Sequence, residues 1–341
     1  MIFVTSQSAS YWHWLNERTV MCDLCPHHCR IGQDKTGICL VRHHIPSKGL
    51  VSNNYGLISS IAVDPIEKKP LYHWKPGSMI FSIGSVGCNM SCPFCQNWPI
   101  STWHTAGQSS NRSFSLHQLS PEDILSLARN ENLDSIAFTY NEPFVGFEFL
   151  NACSRKMKGE GFSTVIVSNG LICQDPLLEV IPFIDAANID LKAFSEDAYK
   201  RMGGHLDSVI QTIVSLYRTG VHLELTHLVV PGINDNVTDF EDMVRWIASL
   251  SDTIPLHISR YFPNHKWTEP PTSLKLLEVF REKASEYLKF VYMGNIPDGS
   301  VTQCISCGKD LLVRDGYQII SNNLDKDGKC LFCGAYTGIV I

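Results

Sequence analysis

The sequence predicts an α/β protein: a partial (β/α)6 barrel with a small cysteine-rich module at each end. Three observations lead to this prediction. Apolar strand patterns alternate with helix patterns from residue 79 to residue 287, which is typical of a parallel sheet. Six such units are found, fewer than the eight that close a full barrel. Eleven of the thirteen cysteines fall in three tight groups, at 22–39, 88–95 and 304–333.

The composition is that of an ordinary globular chain. With 44% hydrophobic and 18% charged residues, the 341-residue chain can bury a large core. The net charge of -6 argues against a nucleic-acid partner. No apolar run reaches about 18 residues and the N-terminus has no cationic start, so we expect neither a membrane segment nor a signal peptide, and a cytoplasmic protein. Without an export signal, grouped cysteines indicate metal rather than disulfides.

The predicted elements alternate in order along the chain. The predicted strands cover 79–84, 135–140, 163–168, 186–192, 222–229 and 254–261. The predicted helices cover 121–131, 144–159, 175–182, 206–219, 236–250 and 272–287. Ser120 and Pro121, followed by acidic residues, are a typical helix start.

The last three predicted strands carry polar side chains on one face and apolar side chains on the other. The polar positions are Asn188, Asp190 and Lys192, then His222, Glu224 and Thr226, then His257, Ser259 and Tyr261. The apolar faces can pack against helices, so the polar faces are expected inside the barrel. Such an interior is costly unless it is wet or holds a polar ligand, and we predict a ligand cavity. The alternative is a self-satisfied ion-pair network of Asp190, Lys192 and Glu224.

The central cysteine loop follows the first predicted strand directly. Cys88, Cys92 and Cys95 are spaced C-x3-C-x2-C on a segment that Gly, Asn, Ser and Pro keep irregular. A cubane iron–sulfur cluster needs four ligands, so three thiolates leave one iron open, as a reactive site requires. The alternatives are a zinc site or a disulfide loop. Zinc would need a fourth ligand, and the nearest His or Cys after the loop is His104.

This spacing after a strand resembles the signature of the radical S-adenosylmethionine (radical SAM) enzymes. The resemblance implies that the three cysteines bind a [4Fe-4S] cluster and that S-adenosyl-L-methionine (SAM) chelates the fourth iron through its amino and carboxylate groups. The reduced cluster would then split SAM into methionine and a 5′-deoxyadenosyl radical that abstracts a hydrogen atom. A low-potential electron donor such as flavodoxin or ferredoxin is implied.

The ends of the next strands resemble the pyruvate formate-lyase-activating branch of this superfamily. The resemblance implies contacts to the SAM amino group by Thr139, Asn141 and Glu142. It implies that Asn169 lies near the nucleoside or the substrate, and that Asp190 and Lys192 bind SAM or position the substrate. Tyr140-Asn141-Glu142 departs from the Gly-Gly pattern of that branch.

Segments along the whole chain resemble the AmmeMemoRadiSam-system radical SAM proteins. They are 22–42, 64–72, 88–98, 139–143 and the C-terminal cysteines. The resemblance implies radical machinery, and analogy with the activating enzymes suggests an oxidoreductase acting on a protein or peptide. A small metabolite or a modified nucleoside stays open as substrate. The alternative from another class is a zinc-rich protein- or nucleic-acid-binding protein without radical chemistry.

The terminal cysteines complete two four-thiolate sets. Cys22, Cys25, Cys29 and Cys39 fit zinc or a second, electron-carrying [4Fe-4S] cluster, with a structural metal favoured. One of the four could be replaced as a ligand by a nearby histidine: His27, His28, His43 or His44. Cys304, Cys307, Cys330 and Cys333 have the spacing of a zinc ribbon, with zinc favoured over mononuclear iron and a structural or docking role. Cys153 and Cys173 stand alone and are expected in the core. The predicted domains are 1–50, 51–295 and 296–341.

Overall fold

An eight-stranded sheet forms the centre of the computed structural model, which describes residues 6–103 and 115–341. His104 lies outside the described residues. Seven parallel strands pair in chain order, and the antiparallel strand Ser60–Pro65 covers the edge beside the first of them. The parallel strands, called first to seventh here, are Met79–Gly84, Ser135–Phe138, Ser163–Ser168, Ala186–Asp190, His222–Val229, Leu256–Arg260 and Val291–Gly294. The two edge strands pair on one side only, so the sheet is open.

All six predicted strands are present, but the predicted number of parallel strands is too low. The seventh strand, Val291–Gly294, follows the last predicted helix and was missed. The second and fourth strands end two residues earlier than predicted, at Phe138 and Asp190. Tyr140 has a left-handed backbone with φ 73°, which stops the second strand. Consequently Thr139 and Lys192 lie in loops just beyond their strands.

The six predicted helices lie close to their predicted bounds, at Pro121–Asn130, Phe147–Gly159, Gln174–Val180, Leu206–Arg218, Val237–Leu250 and Leu274–Ser285. The short helices Trp98–Ser101 and Glu196–Arg201 were not predicted, and 3-10 turns lie at Ile66–Lys68, Pro143–Gly146 and Ile181–Phe183. Ser120 closes a capping box, since its hydroxyl accepts from the Asp123 N–H at 3.1 Å while the Asp123 carboxylate accepts from the Ser120 N–H at 2.8 Å. Among the described residues, no helix is long and apolar enough to cross a membrane.

Small antiparallel sheets flank the centre. The N-terminal strands are Gln7–Ser8, Trp12–Asn16, Thr19–Cys22, Arg30–Gly32, Arg42–Ile45 and Gly49–Ser52; Leu57–Ile58 pairs with His117–Gln118; the C-terminal strands are Ser300–Gln303, Asp310–Asp315 and Gln318–Asn322. Arg314 anchors the C-terminal sheet, because its fully buried guanidinium donates to the Tyr72 carbonyl at 2.6 Å and to Thr302 Oγ1 at 2.9 Å.

The two faces of the central sheet differ in polarity as the alternation predicts. Ile189, Leu225 and Ile258 pack into one apolar cluster with the helices. Their neighbours Asn188 and Glu224 are also buried, on the opposite face of the sheet. Polar groups buried at these positions need partners, and their partners define the site described next.

The two solitary cysteines occupy different environments. Cys153 is completely buried in the apolar core, as expected. Cys173 is only half-buried, at the start of the helix Gln174–Val180, so its core assignment was wrong. Its backbone N–H donates to the carbonyl of Leu24 at 3.0 Å, which ties the N-terminal cysteine segment to the central domain.

Candidate active site

A cavity of about 450 Å³ opens at the carboxyl ends of the parallel strands. These ends meet at one edge of a parallel sheet, which is where α/β proteins bind their ligands. Every residue predicted for the central site lines this one cavity: Cys88, Cys92, Cys95, Thr139, Asn141, Glu142, Asn169, Asp190 and Lys192.

Backbone and side-chain hydrogen bonds hold the cysteine loop in place. The Met90 N–H points at Cys88 Sγ at 3.4 Å, and Asn89 Nδ2 donates to the Leu171 carbonyl at 2.6 Å. Burial raises the pKa of Cys88 well above its usual value and that of Cys92 to about 11. The cysteine thiols must lose their protons to bind iron as thiolates, so binding would release protons from this loop.

The sulfurs of Cys88, Cys92 and Cys95 do not all lie within 4.8 Å of one another. Among the described residues, the C-terminal cysteines are the one set of three or more potential ligands whose atoms all lie within 4.8 Å of one another. A lone zinc ion with bonds of about 2.3 Å requires such closeness.

Glu142 is a buried carboxylate at the end of the second strand. Its Oε1 accepts from Ser168 Oγ at 2.8 Å and from the Phe144 N–H at 3.0 Å, and its Oε2 accepts from the Asn169 N–H at 2.8 Å. Burial raises its pKa to about 7, while these hydrogen bonds and Lys192 act in the opposite direction. The carboxylate is therefore held rigidly and can attract a cation.

Two asparagines join the strand ends to the cysteine loop. Asn141 Oδ1 accepts from the Ser85 N–H at 2.8 Å, and its Nδ2 donates to the Gly87 carbonyl at 3.0 Å. Asn169 Nδ2 lies 3.0 Å from Asn89 Oδ1 and 3.7 Å from Cys88 Sγ. Both side chains support the cysteine loop, a role that the sequence did not indicate.

Asp190 and Lys192 form an ion pair, with 2.8 Å between Nζ and Oδ2. Burial lowers the pKa of Lys192, but Asp190 and the Cys92 thiol outweigh it and raise the pKa above its usual value. Glu224 takes no part in this pair, so the three-member network considered as an alternative was wrong. Glu224 instead accepts from His257 Nε2 at 2.7 Å and contacts His222 Nε2 at 3.1 Å.

A second ionic cluster beside the cavity escaped the sequence interpretation. Asp64 lies on the antiparallel edge strand and accepts from Lys69 Nζ at 2.6 Å, from Lys68 Nζ at 2.8 Å and from the Tyr140 hydroxyl. Lys68, Lys69 and Tyr140 line the cavity. The sequence signal for this cluster was the closeness of Asp64, Lys68 and Lys69 along the chain, but Tyr140 reaches them only in the folded protein.

An adjoining cavity of about 390 Å³ shares Asp190 and Lys192 with the first. Thr226, His257 and Ser259 from the predicted polar faces line this outer cavity, as do Gly316 and Tyr317 of the C-terminal module. Tyr261 does not, because its hydroxyl donates to the Trp267 carbonyl inside the apolar core. His222 lines another, separate cavity.

The C-terminal cysteines have the geometry of a tetrahedral metal site. Cys304 Sγ lies 3.7 Å from Cys333 Sγ, and Cys307 Sγ lies 3.8 Å from Cys330 Sγ. Bonds of about 2.3 Å at tetrahedral angles place thiolates about 3.8 Å apart around one ion. These four cysteines can therefore hold a single metal ion. The N-terminal cysteines Cys22, Cys25, Cys29 and Cys39 line one small enclosed space.

Comparison with known proteins identifies the class. Residues 82–247 match the model of the radical SAM superfamily. An uncharacterized protein of Methanocaldococcus jannaschii is 36% identical over 342 residues, covering 98% of this chain and all of the relative. The 7-carboxy-7-deazaguanine synthase of the same organism is 23% identical over 224 residues, covering 62% of this chain and 87% of the enzyme. A domain of a pyruvate-formate lyase-activating enzyme from Bacteroides vulgatus aligns with a TM-score of 0.40 at 16% identity, covering 47% of this chain and 98% of that domain.

Residues 82–247, just under half of the chain, belong to the radical SAM superfamily. Membership implies a [4Fe-4S] cluster and SAM. The residues present fit both groups: three spaced thiols, a buried carboxylate and an ion pair line one cavity. The three thiols leave one iron without a protein ligand, and the Glu142 carboxylate can accept from an amino N–H.

Proposed function

We propose that this protein is a radical SAM enzyme of the activating-enzyme type, built on a partial barrel. Cys88, Cys92 and Cys95 would hold the [4Fe-4S] cluster. The observation that carries the proposal is the convergence of these thiols with all six predicted SAM contacts on one cavity. When bound, the cluster and SAM supply a 5′-deoxyadenosyl radical that removes a hydrogen atom from the substrate.

The chain's own residues would bind and orient SAM. Glu142, fixed by three hydrogen bonds, would accept from an N–H of the SAM amino group, with Thr139 beside it. Asn141 would act by holding the cysteine loop, since its amide is already bonded at both atoms. Asn169 would contact the nucleoside or the substrate. Lys192 and Asp190 lie between the two cavities and would contact SAM on one side and the substrate on the other.

The outer cavity is the proposed substrate site. Its volume of about 390 Å³ accommodates a small molecule or one residue of a peptide, and excludes a folded domain. We favour a side chain presented by a protein or peptide, by analogy with activating enzymes. The name of the deazaguanine synthase relative supports a small heterocycle as the other candidate. A low-potential flavodoxin or ferredoxin would supply the electron.

The C-terminal cysteines are proposed to bind zinc in a structural module. The sulfur distances of 3.7 and 3.8 Å support one tetrahedral ion, and a small three-stranded sheet gains most of its stability from such an ion. We propose domains at 1–50, 51–295 and 296–341, with the last contributing Tyr317 to the substrate site.

The experiment is anaerobic reconstitution with iron and sulfide, followed by dithionite and SAM. We expect 5′-deoxyadenosine, quantified by chromatography, from the wild type. Cys92→Ala removes one cluster ligand and should abolish the product. Cys153→Ala is the matched control, because that thiol is buried in the core away from the cavity. A zinc-rich binding protein, the competing function, would bind zinc at Cys88, Cys92 and Cys95 and leave SAM intact.

A further inference from the structure

The N-terminal cysteines surround a closed space next to the candidate active site. Besides Cys22, Cys25, Cys29 and Cys39, the walls are largely apolar, including Leu24, Ile31, Ile38 and Val145. Four thiols can fill all four ligand positions of a metal site, so no other ligand is needed. Two kinds of occupant fit four thiolates: a single zinc ion and an iron–sulfur cluster.

The spacing of the sulfurs separates these two occupants. In the ranges that the structure describes, the C-terminal quartet alone brings three or more potential ligand atoms within 4.8 Å of one another. No three of the N-terminal sulfurs all lie that close to one another, whereas one ion with bonds of about 2.3 Å holds its thiolates about 3.8 Å apart. A cubane cluster holds its thiolates further apart, because four irons and four sulfides stand between them.

A buried guanidinium stands beside this quartet. Arg42 is 1% exposed, and its Nη1 donates to Cys22 Sγ at 3.3 Å and to the Ser10 carbonyl at 2.9 Å, while its Nη2 bonds Glu148. Arginine remains charged when buried, so a positive charge lies beside the Cys22 sulfur. Hydrogen bonds and positive charge at a cluster sulfur are also the means by which proteins adjust cluster potentials.

The quartet is in direct contact with the central cysteine loop. A β-carbon at Gly87 would lie 2.8 Å from the Cys39 carbonyl oxygen, so glycine permits the two segments to touch, and Gly87 itself has φ 91°. His27 Nε2 lies 2.7 Å from the Asn89 carbonyl, which can only accept, so Nε2 carries the proton. Gly87 and Asn89 are the two neighbours of Cys88. The N-terminal cysteine segment therefore contacts the residues on both sides of Cys88.

We propose that Cys22, Cys25, Cys29 and Cys39 hold a second [4Fe-4S] cluster that delivers electrons to the cluster of the Cys88 loop. The proposal rests on the proposed function, because the electrons need that acceptor. One electron from a low-potential flavin or iron–sulfur donor reduces the N-terminal cluster and then passes to the central one; each donor is oxidised by one electron and no covalent bond changes. The N-terminal segment is thus the electron entry of the enzyme.

The test is a metal count on the full chain, reconstituted anaerobically, combined with Mössbauer spectroscopy. We expect about eight iron atoms and one zinc per wild-type chain, two cubanes and a single ion. The double variant Cys22→Ala/Cys29→Ala should keep about four irons and the zinc. Cys153→Ala should match the wild type. Should the double variant fail to fold, the wild-type count alone decides.

The rate of SAM cleavage with two different reductants tests the second cluster separately from the proposed radical SAM activity. In the double variant, dithionite, a small reductant, should still drive 5′-deoxyadenosine formation, whereas reduced flavodoxin should drive it roughly tenfold less than in the wild type. Four irons with two zincs in the wild type, or an unchanged flavodoxin-driven rate in the double variant, would overturn the inference. Eight irons without any SAM cleavage would leave the second cluster in place and overturn the proposed function instead.

Discussion

Removing the charge of Glu142 should weaken SAM binding strongly. In Glu142→Gln the side chain keeps its size and an oxygen that can still accept from Ser168, but it no longer carries the negative charge that would strengthen its hydrogen bond from the SAM amino group. A hydrogen bond to a charged group contributes about 1.5–3 kcal/mol, which corresponds to about 10- to 140-fold in Kd. Anaerobic calorimetry on the cluster-loaded protein measures this loss. Glu131→Gln, on an exposed side chain, is the control.

The Glu142 carboxylate also predicts the direction in which SAM affinity changes with pH. Burial raises the pKa of Glu142 to about 7, so lowering the pH protonates it and removes the charge that SAM needs. Its ionised fraction falls about eightfold between pH 7.5 and pH 6.0, and Kd should rise by about that factor. The effect should vanish in Glu142→Gln. Wild-type affinity in the variant, or an unchanged pH dependence, would refute the role given to Glu142.

Three further predictions concern stability and metal. Lys69→Met should cost about 3–5 kcal/mol in the free energy of unfolding, because it removes a buried ion-pair partner of Asp64. Lys68→Met removes a half-exposed partner of the same carboxylate and should cost under about 1 kcal/mol. Denaturant titration measures both costs. Burial raises the pKa of Asp64, but hydrogen bonds from Lys68, Lys69 and Tyr140 outweigh it and hold it well below its usual value, so this stability is present above about pH 4 and lost in acid, as melting temperatures against pH should record. Cys307→Ala should release about one zinc per chain and expose the C-terminal module to limited proteolysis; unchanged zinc would contradict its assignment.

The central site could be predicted because its signals are local. The spacing of Cys88, Cys92 and Cys95 needs no fold to be recognised, and a parallel sheet brings the ends of its strands to one edge. Glu142, Asn169 and Lys192 therefore line the cysteine cavity as a consequence of strand order alone.

What the sequence missed depends on contacts between distant segments. The Asp64–Tyr140 hydrogen bond joins the antiparallel edge strand to the second strand end, and no periodicity encodes that pairing. Glu224 was paired with the wrong partner because alternation gives the face of a residue but not which neighbour on that face it reaches. The strand Val291–Gly294 was missed, and the fold shows it as the parallel partner of Leu256–Arg260.

The most direct test of the central claim is electron paramagnetic resonance of the dithionite-reduced protein with and without SAM. Cys88, Cys92 and Cys95 leave one iron open, so SAM should change the signal of that cluster in the wild type and in Cys153→Ala. A second cluster at the N-terminal cysteines, with four thiolates, should contribute a signal that SAM leaves unchanged. Cys92→Ala should lose the SAM-sensitive signal alone. A cluster-loaded wild type whose entire spectrum is indifferent to SAM would contradict the account.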